Sequence, residues 1–240
     1  MTGRQLLKKA GSGLVVSAAI ASAGYAALVV LNRVRYGDAK GLADSPKDSL
    51  LDRFIPKPEV VEHHQIAIAA PADVVMATAK ELELLKSPII RAIIRAREIA
   101  LGGEPDTRPH PTALIEQMQS IGWVVLDERP GREIALGSVT QPWHANPTFR
   151  SIPPDDFAAF SEPGYVKIAW TLRADPIDDG RSTFHTETRV STTDSEARDR
   201  FRSYWSFVAP GVELIRVAML RPLKRAAEAQ PRASANHAAA

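Results

Sequence analysis

The chain has 240 residues, a formal net charge of +2 and no cysteine. That length suffices for one well-buried domain plus appendages, and the lack of cysteine excludes disulfides, thiolate nucleophiles and cysteine-ligated zinc. The small charge, with arginines dispersed and not interleaved with aromatics, excludes the usual signature of a nucleic-acid binder.

The N-terminus carries the first predicted element. Gly13 to Leu31 is a charge-free run of 19 residues. As a helix it would be about 28 Å long, close to the thickness of a hydrocarbon core. It predicts a membrane anchor over 1–35 with a single span over 13–31. The alternative is a cleaved signal peptide with a small-residue site at Ala21-Ser22-Ala23, although the apolar run continues beyond it to Leu31 and ends on basic residues. Arg4, Lys8 and Lys9 precede the run and Arg33, Arg35, Lys40 and Lys47 follow it, so the charge rule does not choose a side of the membrane. Residues 36–58 read as a linker broken by Gly37, Gly41, Pro46, Pro56 and Pro58, in which Leu50, Leu51, Phe54 and Ile55 could form a short helix on the membrane or on the domain. Residues 230–240 read as a disordered tail.

The domain is expected over 59–229. His64, Ile66 and Ile68 alternate with Gln65, Ala67 and Ala69, as a strand requires. Pro71 and Asp73 open a helix through about Leu84. Ser87-Pro88 opens another that Gly102-Gly103 closes, with Ile89, Ile90, Ile93 and Ile94 inward and Arg91, Arg95 and Arg97 outward. A short helix follows over about Thr112 to Ile121. Two antiparallel hairpins come next: 123–127 with 133–140, then 165–173 with 182–192. Ile134, Leu136 and Ser138 share one face, as do Val166, Ile168, Trp170 and Leu172, and Phe184, Thr186, Thr188 and Val190. After Thr193-Asp194 comes one long amphipathic helix, with Phe201, Trp205, Val208, Val212, Ile215 and Met219 on one stripe. Pro210-Gly211 is expected to interrupt or kink it. The order of elements gives an α+β fold with helices on one side of a bent antiparallel sheet.

Ile68-Ala69-Ala70-Pro71-Ala72-Asp73-Val74-Val75 resembles the strand-to-helix opening of the START-like (SRPBCC, Bet v 1-like, polyketide cyclase/dehydrase-related) superfamily. Thr186-Glu187-Thr188-Arg189-Val190, with Phe201-Arg202-Ser203-Tyr204-Trp205, Pro210-Gly211 and Ile215-Arg216, is similar to the closing segment of an uncharacterised bacterial group in it. The resemblance implies a helix-grip fold, a curved sheet wrapped around the long C-terminal helix with a hydrophobic cavity between them. A bacterial inner-membrane location follows for the anchored form. The superfamily spans lipid binders, cyclases and oxygenase subunits, so the fold leaves the activity open.

The chemistry-bearing residues are few. His63 and His64 are adjacent on a strand and point to opposite faces, so they cannot share a metal. No metal-ligand spacing, nucleophile motif, phosphate loop or dinucleotide fingerprint is present, so no metal, cofactor or catalytic residue is assigned. His185, Glu187 and Arg189 alternate out of phase with Phe184 and Thr186 and are expected as a solvated outer row. Asp155-Asp156 is expected to cap a short helix. Candidate cavity residues are Leu136, Ser138, Trp170, Phe184, Thr186, Thr188 and Trp205, with Trp143 and His144 as a rim pair. The leading expectation is a non-enzymatic, membrane-tethered binder of a hydrophobic, lipid-like molecule. A cyclase- or dehydratase-type enzyme is the alternative, and a non-catalytic membrane interaction module a third.

Overall fold

The computed structural model describes residues 50–230. The expected anchor over 1–35, its span 13–31, the first part of the linker and the tail from 231 lie outside the described residues. Among the described residues no helix is long and apolar enough to cross a membrane.

The elements in chain order are α1 (Leu51–Phe54), β1 (Val60–Ile68), α2 (Ala72–Lys80) and α3 (Pro88–Leu101). Next come α4 (Leu114–Ser120), β2 (Val124–Arg129), β3 (Glu133–Thr140), β4 (Phe149–Arg150) and α5 (Pro154–Phe157). The chain closes with β5 (Val166–Asp178), β6 (Arg181–Thr192) and α6 (Ser195–Glu228). The strands form one antiparallel sheet in the order β1-β6-β5-β3-β2, with β4 pairing the end of β3. A bent antiparallel sheet gripping a 34-residue C-terminal helix is the helix-grip arrangement.

Local chemistry explains the helix ends. The Ser87 side chain accepts from the Ile90 N–H and Pro88 fills the first turn, while Gly102 takes the left-handed conformation that ends α3. Asp194 accepts from the Ala197 N–H at 2.8 Å and starts α6. The helix then runs unbroken through Pro210 and Pro222, so the expected interruption at Pro210-Gly211 does not occur. Gly211 instead marks a helix crossing, since a Cβ there would stand 3.0 Å from Ile93 Cγ2 of α3.

Register assigns the two faces. Residues opposite one another share a face, which groups Glu62, Thr188, Trp170 and Leu136 in one row. His64, Thr186, Leu172 and Ile134 form the next row, and both rows face α6. On that concave side the apolar residues seal into two separate clusters. One joins Ile134, Leu136, Trp170, Leu172 and Phe184 to Met219, Leu220 and Leu223 of the C-terminal half of α6. The other joins Val60, Val166 and Val190 to Phe201, Trp205 and Val208 of its N-terminal half.

The convex face is covered too. Leu50, Leu51, Phe54 and Ile55 pack there with Phe157 of α5 on Ala135, Val139 and Ala169. Gly137 lets Phe157 in, because a Cβ at that position would lie 2.8 Å from its ring. All eight positions of β3 are therefore buried. The expected solvated row is corrected on the same ground: it lies on the outer face, but Glu187 and Arg189 are only 2% and 4% exposed beneath α1. The facing of α3 is corrected as well. Ile90 is its one buried residue and Ile93 and Arg97 are half-buried, while Ile89 and Ile94 are exposed, because the helix touches α6 along a single narrow stripe.

Candidate functional site

Between the fully buried members of the two concave clusters runs a band in which several residues are only half-buried. Ile168 lies in it, on a strand with hydrogen-bonded neighbours on both sides, and is only half-buried. Val212 and Ile215 of α6 are half-buried above it. The polar members of the band come from three elements: Glu62 and His64 on β1, Thr186 and Thr188 on β6, and Arg216 on α6.

Arg216 organises the band. Its guanidinium carbon stands 4.5 Å over the Trp170 ring, and its Nη2 donates to Thr188 Oγ1 at 2.7 Å. The residue keeps part of its surface, yet its head is deep enough that loss of water pulls its pKa down to about 10, against the field of Glu62, which supports the charge. The cation therefore persists at neutral pH. Trp170 Nε1 donates to Thr186 Oγ1 at 2.7 Å, which fixes the ring as a floor under the guanidinium. On β1, His64 Nε2 lies 3.8 Å from Glu62 Oε2, and it has no hydrogen-bond partner among the described residues.

The structure brings together five of the nine residues proposed from sequence. Leu136, Trp170, Phe184, Thr186 and Thr188 all lie on the concave face around this band. Ser138 is fully buried and its hydroxyl is taken up by the Gly122 and Arg150 carbonyls, at 3.0 and 3.2 Å. Trp205 stacks on Phe201 in the N-terminal cluster, away from Arg216. Trp143 is half-buried beside it and borders an outer groove of about 750 Å³ with Leu101, Tyr204 and Phe207. His144 is exposed, and its carbonyl accepts from Arg97 at 3.1 Å. Sequence reasoning missed Glu62, His64 and Arg216. The signal was present: His64 is in phase with Ile66 and Ile68, and Arg216 lies four residues after Val212 on the apolar stripe.

A second, polar cleft of about 630 Å³ lies between the end of α3 and the segment before β4. Beside it, His110 contacts Asp106 Oδ2 at 3.1 Å and Ser120 Oγ at 3.2 Å. The order of groups is that of a hydrolytic triad, but the Ser120 hydroxyl donates to the Gln117 carbonyl at 2.8 Å and sits at the C-terminal, electronegative end of α4. Both features oppose an alkoxide, and the trio reads as a staple for the 102–113 loop. Among the described residues no cluster of histidine or carboxylate side chains could hold a metal ion.

No protein-family profile matches the chain, and no curated protein matches it. Three solved structures superpose over most of their own length. A protein from Chromobacterium violaceum has 11% identity over 71% of this chain and 98% of its own, with a TM-score of 0.29. A hypothetical protein from Helicobacter pylori has 8% identity over 78% and 98%, with a TM-score of 0.37. The Zhui aromatase/cyclase from Streptomyces sp. R1128 has 15% identity over 73% and 98%, with a TM-score of 0.28.

Proposed function

We propose that the chain is a binding protein for a largely apolar, lipid-like small molecule, held between the curved sheet and α6. One observation carries the reading. Ile168 sits on an interior strand beneath the gripping helix, at the margin of the N-terminal cluster, and still keeps accessible surface. Close packing normally closes such a position, so an open apolar band with a few polar groups is the form a ligand site takes. The charge-free run 13–31 supports a bilayer as the source of the molecule, since an anchored domain would remain within reach of lipid.

The test is organic extraction and mass spectrometry of the purified full-length chain, beside an Ile168→Trp variant that fills the band. One apolar species near unit stoichiometry, lost from the variant, is expected. A wild-type chain that carries and takes up nothing overturns the reading.

A second reading, an enzyme of the cyclase or dehydratase type, has its own observation in His64. Its Nε2 has no hydrogen-bond partner among the described residues and stands 3.8 Å from the Glu62 carboxylate, whose field reaches the Arg216 cation. A base and an electrostatic stabiliser are what proton abstraction next to a carbonyl needs. Exchange of the methylene deuterons of benzoylacetone should then be faster with the wild-type chain than with His64→Gln. Equal rates remove this reading and leave the first intact.

A further inference from the structure

We propose that the molecule held in the band carries an acid group, ionised at neutral pH, whose oxygens meet Arg216 and the Thr188 hydroxyl; this rests on the binding function proposed above. The argument is an inventory of donors. A guanidinium has five N–H donors in a rigid fork, and Arg216 gives one to Thr188 Oγ1. Its remaining donors meet no acceptor among the described residues, and no carboxylate there comes within ion-pair distance of it. Because Thr188 Oγ1 accepts from Arg216, its own proton points elsewhere. Thr186 Oγ1 accepts from Trp170 Nε1 and is placed in the same way. Around the guanidinium the band thus presents a fork and two hydroxyls whose oxygens already accept, while the acceptors Glu62 and His64 lie together on β1.

A group that only accepts matches that set. A carboxylate brings two oxygens, can take the fork in a bidentate manner, and adds no donor where donors are in excess. An alcohol or an amide brings further N–H or O–H groups. Glu62, opposite Thr188 across the β1–β6 pair, supports the charge on Arg216 through space without filling the fork. Its Oε2 lies 3.8 Å from His64 Nε2. Trp170 lies under the guanidinium, Leu136 pairs with Trp170 across β3–β5, and half-buried Ile168 follows on the same face of β5, so the rest of the molecule is hydrocarbon or aromatic in character.

The experiment offers the full-length chain three probes that share one chain and differ in the head: hexadecanoate, 1-hexadecanol and methyl hexadecanoate. A fixed non-ionic detergent keeps partitioning comparable, and native mass spectrometry counts one-to-one complexes. Hexadecanoate should bind at least ~10-fold more tightly than either neutral probe, the scale of one charge-assisted pair. Arg216→Gln should erase that preference while the neutral probes keep their affinity. Thr188→Val, which leaves the charge in place, should reduce it several-fold. If the three probes bind the wild-type chain equally, or Arg216→Gln keeps the preference, the acid-head inference fails while the binding function stands. If none of the three binds, the binding function fails and takes the inference with it.

Discussion

Arg189 lies on the convex side of β6, behind the half-buried band, and its guanidinium is gripped from two directions. Nε donates to Glu187 Oε1 at 2.7 Å, and Nη1 reaches Asp52 Oδ1 at 2.5 Å and the Ile55 carbonyl at 3.3 Å. A buried ion pair of this kind adds little relative to a well-packed apolar pair, but removing one member strands the other in a dry environment. Arg189→Ala should therefore cost about 3 kcal/mol, whereas Arg189→Met combined with Glu187→Leu should recover at least half of that loss. Equilibrium urea unfolding of the three variants makes the comparison, and a double variant as unstable as the single one would contradict it. The exposed Arg200–Glu196 pair on α6 is the control, with Arg200→Ala expected to change stability by under ~1 kcal/mol. Two arginines thus hold opposite faces of β6: Arg189 ties the Leu50–Ile55 segment to its back, and Arg216 of α6 donates to Thr188 on its front.

At the scale of elements, α6 depends on its first turn. Asp194 receives the Ala197 and Gly164 backbone N–H groups, and these hold its carboxyl below the ordinary value of 3.8. The folded state therefore favours the ionised form: its contribution is complete above the ordinary aspartate range and is lost as pH falls through the lower folded value. Asp194→Asn keeps a capping side chain but cannot titrate, so its stability should depend less steeply on pH below about 4 than that of the wild type. Parallel acid limbs in urea unfolding at several pH values would refute this. Caps of this type were legible in the sequence, as Thr193-Asp194 and Ser87-Pro88 show, because they depend on neighbouring residues alone. The hairpins and the inward parity of Thr186 and Thr188 were legible for the same reason. What depends on partners distant in sequence was not. The isoleucines of α3 predicted a wide inward face, but the helix meets α6 along one stripe at Gly211, and nothing local announces that width. Arg216 reads as a break in an apolar pattern until the sheet beneath it supplies Thr188 and Trp170.

The whole molecule is a partition with two covered sides. β3, β5 and β6 face α6 on one side and the Leu50–Ile55 segment on the other, so consecutive residues of β6, Thr188 and Arg189, serve opposite layers. Leu50, Leu51, Phe54 and Ile55 are each under 5% exposed, and burying large apolar side chains contributes roughly 1.5–3 kcal/mol apiece before the cost of ordering the segment. The back layer is therefore part of what holds the strands that shape the site, rather than an ornament of the linker. Phe54 is its most informative member, since its ring meets Phe157 edge-on at 6.1 Å over the glycine gap in β3. Phe54→Ala should cost about 3–5 kcal/mol, the range for deleting an aromatic core side chain. Ile89→Ala, at a position 57% exposed on α3, should stay within about 0.5 kcal/mol. Because the two layers share the same strands, the Phe54 variant should also unfold in a single urea transition, with tryptophan fluorescence from the concave side and far-ultraviolet circular dichroism moving together. A fluorescence transition left at the wild-type midpoint would show that the back layer detaches independently, and that the band facing α6 does not need it.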